Sequence, residues 1–128
     1  MEILTKINTD KAPAAVGPYS QAVKVGNIVY TSGQISLSPD TGKVVGANVS
    51  EQAKQVMENL SQVLQEADAS FESVIKTTCF LYDMNDFVAF NAVYEQYFKN
   101  KPARSCVAVK SLPKDVLCEI EVIALTSE

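Results

Sequence analysis

Arg104 heads an apolar, strand-like run, Ser105-Cys106-Val107-Ala108-Val109, directly behind Lys101-Pro102-Ala103. Further along, a second strand-like run from Leu117 to Leu125 carries Glu119 and Glu121 on one face, among Leu117, Ile123 and Leu125. Charges on the strands of a short chain usually lie on a solvated face, but these alternate with residues that do not belong in water. A guanidinium grips a carboxylate through two parallel hydrogen bonds, and a carboxyl among apolar neighbours is pushed toward the pH at which it can both give and take a proton. The pattern predicts a pocket in which Arg104 holds a small anion and Glu119 performs acid–base or water chemistry on it. Spacing alone leaves open a plainer alternative, Arg104 as an interface salt bridge with Glu121 and Glu119 as a solvated strand carboxylate.

The chain contains no histidine, which removes Ser-His-Asp catalysis, Cys-His catalysis and any histidine-based metal site together. Its three cysteines, Cys79, Cys106 and Cys118, form no C-x-x-C pair, so neither a disulfide framework nor a zinc site is expected, and no metal. Cys106, on an apolar strand, reads as a small wall residue rather than a nucleophile; Cys79 and Cys118 read as core. The net charge of −4, with scattered lysines and no basic stripe, argues against nucleic acid as a partner.

At 128 residues, 47% apolar and 20% charged, the sequence is that of one globular domain spanning residues 1–128. No apolar run approaches the roughly 20 residues needed to cross a bilayer, so no membrane association is expected. Met1-Glu2-Ile3-Leu4-Thr5-Lys6 lacks the basic and apolar regions of a signal peptide, which predicts a cytoplasmic protein. In that compartment the Asn48-Val49-Ser50 sequon is a chance match.

The elements that must position the site follow from periodicity. A short strand is expected over Glu2 to Ile7, then a hairpin of Ser20 to Val25 and Ile28 to Ser32 joined by Gly26-Asn27. A turn at Ser38 to Gly42 precedes a short edge strand near Val44-Val45. Val49, Ala53, Val56, Met57, Leu60, Val63, Leu64 and Ala67 recur at spacings of three and four, a helix over Val49 to Ala67 with Asn48 and Glu51 as a capping box. A strand is expected over Phe71 to Tyr82 and a second helix from Asn85-Asp86 through Phe98, ending before Lys101-Pro102. Strands from Arg104 to Val109 and from Val116 to Leu125 close the order, joined by the turn Ser111 to Asp115.

This order predicts an α+β fold, a single-layer mixed sheet with two helices on one face. Cys118, Ile120, Val122 and Ala124 suit the face beneath the helices. The opposite face, with Leu117, Glu119, Glu121, Ile123 and Leu125, is too apolar for solvent and too polar for a core, so another subunit is expected on it.

Four segments carry a more specific signal: Ala12-Pro13-Ala14-Ala15-Val16-Gly17-Pro18-Tyr19-Ser20-Gln21, Thr31-Ser32-Gly33-Gln34-Ile35, Lys101-Pro102-Ala103-Arg104-Ser105-Cys106-Val107, and Leu112-Pro113 through Glu119-Ile120-Glu121. In order and content they resemble the RidA (YjgF-type) reactive-intermediate deaminase family, over essentially the whole chain. The resemblance implies a chorismate-mutase-like fold assembled as a homotrimer, with the sheets forming a central barrel and a site at each interface. It implies a cofactor-independent 2-iminobutanoate/2-iminopropanoate deaminase that hydrolyses enamine and imine intermediates such as 2-aminoacrylate. The roles it implies are Arg104 for the substrate carboxylate, Glu119 for water and proton handling, Cys106 chiefly through its backbone, and Tyr19, Ser32, Gly33 and Asn91 as pocket walls and polar contacts. Ser36 stands where proline is common, the stretch Phe98-Lys99-Asn100-Lys101 is short for the family, and Lys101 replaces a frequent aromatic; these departures bear on the substrate side chain more than on the reaction.

The residues alone leave Tyr19 as either packing or a polar contact, and Ser32-Gly33 as strand-end turn chemistry or a close approach to ligand. Asn91, mid-helix where asparagine is mildly unfavourable, hints at a polar partner. The alternative function is a non-catalytic, small-carboxylate-binding regulatory trimer, for which Arg104 is needed but a water-activating Glu119 is not. The ribonuclease or translation-inhibitor activity attributed to some relatives fits poorly with the acidic charge and the absence of histidine.

Overall fold

Gly26 takes a φ of 60°, which only glycine adopts at no steric cost, and this lets the chain reverse in two residues. The strands it joins, β2 (Ala22–Val25) and β3 (Ile28–Thr31), pair antiparallel with Val25 opposite Ile28, as the Gly26-Asn27 signal predicts. The structure, a computed structural model, describes residues 3–127. The remaining elements are β1 (Leu4–Ile7), α1 (Val49–Glu66), β4 (Val74–Leu81), α2 (Phe87–Tyr97), β5 (Ala103–Ala108) and β6 (Cys118–Leu125). One six-stranded mixed sheet runs in the order β1-β2-β3-β6-β4-β5, antiparallel throughout except for the parallel pair β4 and β5, which α2 connects.

The first helix is held by its apolar stripe. Val49, Ala53, Val56, Met57, Leu60, Val63 and Leu64 are all buried, each contributing about 1.5–3 kcal/mol for a large side chain, against about 1 kcal/mol for the cap. The Asn48 side chain accepts from Glu51 N–H at 2.9 Å, while Glu51 reaches back to Ala47 N–H at 2.8 Å. Beneath both helices the sheet contributes Cys118, Ile120, Val122 and Ala124, joined by Val74, Cys79 and Leu81. The α+β fold with both helices on one face is thus the observed one. No helix among the described residues is long and apolar enough to cross a membrane.

Several boundaries differ from expectation. Phe71–Ser73 is a single 3₁₀ turn ahead of β4, because Ser70 and Ser73 satisfy each other's backbone and cap a turn rather than a strand. Met84–Asp86 is likewise a 3₁₀ turn, opened by Asp83 accepting from Asn85 N–H, so α2 begins at Phe87. The expected edge strand at Val44-Val45 reduces to one bridge between Leu37 and Val44. Glu2, placed in the first strand, lies outside the described residues.

Register divides the sheet into two surfaces. Facing the helices, Val122, Thr77 and Arg104 form one row across β6, β4 and β5, and Ile120, Cys79 and Cys106 the next. On the open face, Leu4, Val25, Ile28 and Leu125 form a row, as do Tyr30, Ile123, Lys76 and Ala103, and then Glu119, Phe80 and Val107. Leu4, Tyr30, Val107 and Leu125 are exposed there. The reading of Leu117 as part of this face is corrected: it precedes β6, its N–H is held by Gln52 Oε1 at 2.8 Å, and it packs on the helix-side core.

Buried polar side chains bind the loops to this frame. Asn59 of α1 donates to the carbonyls of Ile35 and Leu37, both at 3.1 Å. Gln21, only 2% exposed, accepts from Thr9 N–H at 2.7 Å and donates to the carbonyls of Thr9 and Pro13 at 3.1 and 2.7 Å, fastening segment 9–13 beside β2. Gln21→Ala should therefore cost about 2–4 kcal/mol in urea unfolding, because buried backbone groups lose their partners. A loss below about 0.5 kcal/mol would show that water replaces the amide without penalty.

Candidate active site

Glu119 projects from β6 on the open face of the sheet into a cavity of about 110 Å³. Its walls are the segment that continues β3, Gly33 to Leu37, together with Pro13, Tyr19 and Pro113. That segment is held to β6 by reciprocal bonds between Gln34 and Ile120, 2.8 and 3.2 Å long. Gly33 lies directly against the Glu119 carboxylate. A Cβ added at Gly33 would collide with Oε2 and stand 2.8 Å from Cδ, so glycine here makes the room the carboxylate occupies. Burial, with a smaller contribution from Glu121, pushes the Glu119 carboxyl above its ordinary range.

Neighbouring residues have mixed tasks. Tyr19 is 53% exposed and lines the Glu119 cavity. The Ser32 hydroxyl donates to the Ser20 carbonyl at 2.6 Å and its N–H to the Gln21 carbonyl at 2.9 Å, so Ser32 braces the ends of β2 and β3. Ser36 is fully buried, its hydroxyl without a partner among the described residues. Pro113 opens a turn in which Lys114 and Asp115 both adopt φ 55°, a conformation costly for residues with side chains and common beside functional clefts.

Arg104 lies elsewhere. Helix α2 ends at Tyr97, and Lys101, at φ 54°, turns the chain into Pro102 and edge strand β5. The Arg104 guanidinium then rests on a stripe of α2: Nη1 donates to Asn91 Oδ1 at 2.7 Å, and Cζ lies 4.7 Å from the Tyr94 ring centroid and 5.5 Å from that of Phe87. Residues 87, 91 and 94 are spaced four and three apart, so they face one way. A cleft of about 280 Å³ opens beside the guanidinium, between Asn91, Glu95, Lys101 and Pro102. Arg104 makes no ion pair among the described residues, and Glu121 points from the other sheet face, which removes the salt-bridge alternative within one chain.

Cys106 follows Arg104 on the same face. Burial pushes its thiol up, and the nearby Arg104 charge only partly opposes this, so it stays protonated and is a poor nucleophile. The Cys79 and Cys118 thiols are pushed up to about 12, chiefly by burial. Among the described residues there is no cluster of histidine, cysteine or carboxylate side chains that could hold a metal ion.

The structure therefore brings Tyr19, Gly33 and Glu119 together, and separately Asn91, Arg104 and Cys106. It does not unite the two groups within one chain. Arg104 aligns with Thr77 and Val122 on the helix side, whereas Glu119 aligns with Phe80 and Val107 on the open side. The pocket expected to hold Arg104 and Glu119 together is not closed within one chain, because alternation at period two sends them to opposite faces. Tyr94 and Thr77, which the motifs do not single out, stand beside Arg104. The spacing of Tyr94 from Asn91 and Phe87 was the available signal.

The family model described as Endoribonuclease L-PSP matches residues 9–126 of this chain. A RutC family protein of Pyrococcus abyssi is 52% identical over 119 residues, 92% of this chain and 94% of the relative. A human protein named 2-iminobutanoate/2-iminopropanoate deaminase is 48% identical over 120 residues, 93% of this chain and 88% of that protein. Among solved structures, E. coli TdcF with bound serine superposes with a TM-score of 0.90 at 46% identity, covering 96% of this chain and 99% of the other.

Two outcomes follow from the Glu119 cavity. A carboxyl with a raised folded-state pKa binds protons more tightly folded than unfolded, so stability falls as pH rises from its ordinary value of 4.5 through the raised one. Glu119→Gln should remove that slope, melting higher than wild type at pH 7 and equally near pH 4; equal melting at both would show the carboxyl is not strained. Gly33→Ala should displace the carboxylate and lower the pH 7 activity tenfold or more, with an unchanged rate overturning the packing argument.

Proposed function

The chain belongs to the endoribonuclease L-PSP family, with the motifs of the RidA (YjgF-type) proteins, and from that membership we propose that it is an enamine/imine deaminase acting on small 2-imino acids such as those derived from 2-aminoacrylate. The observation that carries this reading is the half-buried Glu119, its carboxyl raised by burial and lodged against Gly33, in a chain similar to a human protein named for this reaction. The net charge of −4 suits a small substrate better than RNA, whatever the family's description.

The two half-sites support a trimer as the working form. The open face exposes Leu4, Tyr30, Val107 and Leu125, and β5 is a sheet edge without a further strand partner among the described residues. Copies packed through these surfaces would set the Arg104–Asn91 side of one chain against the Glu119 cavity of the next. There Arg104 forks onto the substrate carboxylate, a pair of charge-assisted bonds contributing about 1.5–3 kcal/mol each. Asn91 holds Nη1, and the backbone at Cys106 provides further polar contact beside it.

The chemistry then needs one proton carrier. The enamine is protonated at carbon to give the imine in its protonated, iminium form. Glu119 orients a water and takes its proton as the oxygen adds to C=N, giving a carbinolamine. The proton returns to nitrogen, and as the C–N bond breaks the carbinolamine hydroxyl gives its own proton to the Glu119 carboxylate, so that a 2-keto acid and ammonia leave. Water is the only co-reactant, and no cofactor is invoked.

The test couples the protein to a pyridoxal-phosphate-dependent amino-acid dehydratase and follows loss of the imine. Arg104→Lys keeps the charge but loses the fork, and turnover should fall at least tenfold with little change in melting. Glu119→Gln should lower hydrolysis by about 10²-fold while calorimetric binding of a 2-keto acid persists. Keto-acid binding by a wild type that does not accelerate imine loss would favour the regulatory trimer. Light scattering should give three times the mass of one chain, and a stable monomer would overturn the shared site.

A further inference from the structure

The deaminase reading leaves unused one buried polar pair, Thr77 and Tyr94. Thr77 is fully buried among apolar side chains, where valine would fill the same volume and a hydroxyl is costly unless paired. Its Oγ1 lies 2.7 Å from the Tyr94 hydroxyl, a bond in which either group can donate. Thr77 is also the residue of β4 directly opposite Arg104 in the parallel register. The strand that neighbours Arg104 thus holds the tip of the ring on which the guanidinium rests, 4.7 Å from its centroid.

The ring is also packed in tilted contacts against Phe98 at 4.5 Å and Phe90 at 6.0 Å between centroids. Asn91, one turn back on α2, fixes Nη1. Burial raises the Tyr94 phenol, so the group stays neutral and offers the guanidinium a ring face rather than a phenolate.

We propose that Thr77 and Tyr94 are a positioning pair that orients the Arg104 guanidinium for carboxylate recognition. This rests on the reading of Arg104 as the carboxylate clamp. Thr77 is fully buried, and Tyr94, whose ring lines the cleft beside the guanidinium, acts through Arg104. The physical reason is preorganisation. An arginine side chain free to rotate loses rotamer entropy when it binds, and a fork turned out of plane forfeits one of its two parallel bonds. A ring whose hydroxyl is anchored to β4 meets that cost during folding.

The experiment separates positioning from packing. Thr77→Val leaves the Tyr94 hydroxyl without its partner, and Tyr94→Phe leaves Thr77 Oγ1 only the weak Cys79 thiol donor at 4.0 Å, so both stability and affinity for 2-ketobutyrate should fall. The double variant Thr77→Val/Tyr94→Phe removes both partners and should recover most of the melting temperature. Its affinity should stay at least fivefold weaker, with KM raised more than kcat is lowered. Thr77→Ser, which keeps the hydroxyl, should bind within twofold of wild type. If the double variant binds like wild type, the pair is structural only and the inference fails.

Arg104→Lys, run beside these, tests the clamp itself, and its unchanged affinity would sink that reading alone. In that event, or if 2-ketobutyrate does not bind the wild type, ¹⁵N NMR of the Arg104 side chain decides the pair without ligand. Guanidinium signals that average faster in the double variant support positioning, and signals identical to wild type overturn it.

Discussion

Strand β6 lies between β3 and β4 and must serve both faces of one sheet, and the site depends on that alternation. Cys118, Ile120, Val122 and Ala124 are buried beneath the helices, so the residues between them are committed to the opposite side. Glu119 therefore reaches the open face whatever its chemistry requires. By the same rule β5, in parallel register with β4, sends Arg104 and Cys106 toward α2. A one-residue slip would exchange the two sets and place charges in the core, which is why the register is firmly specified. The separation of cation and carboxylate is thus a consequence of core formation.

Around this frame, buried polar side chains do what secondary structure cannot. Gln52 ties α1 to the Gly46 carbonyl and to Leu117 N–H, Asn59 ties it to the carbonyls of Ile35 and Leu37, and Gln21 fastens segment 9–13. Each bond adds only about 0.5–1.5 kcal/mol, less than one large apolar side chain of α1. Their value is directional. The apolar stripe fixes where the helix packs, and the amides fix which loop lies over the Glu119 cavity. Gly33 completes that arrangement by lacking the atom that would fill the carboxylate's space.

The elements with strong periodicity were legible in the sequence: the α1 stripe, the Gly26-Asn27 hairpin and the alternation of β6. Less was legible where short-range capping competes with propensity. At Phe71–Ser73 the paired serines made a turn from residues that suit a strand, and at Met84–Asp86 Asp83 did the same ahead of α2. The site residues were mostly named from motifs, yet their grouping was not. Neither Thr77 nor Tyr94 carries a local sign that its hydroxyl would meet the other across 17 residues of chain.

What the sequence determined by itself was chemical inventory and local form: no histidine, one arginine behind a Pro-Ala turn, carboxylates alternating with Leu and Ile, and the helices' apolar stripes. These depend on residue type and on contacts a few positions apart, which one dimension records. Only the tertiary structure decided that β4, not β5, would pair with β6, and hence which side chains share a row. Strand order is settled by which apolar faces can be buried together, a sum over the whole core that no local segment contains. It set Asn91 and Tyr94 under the Arg104 guanidinium and turned Glu119 to the other side of the sheet.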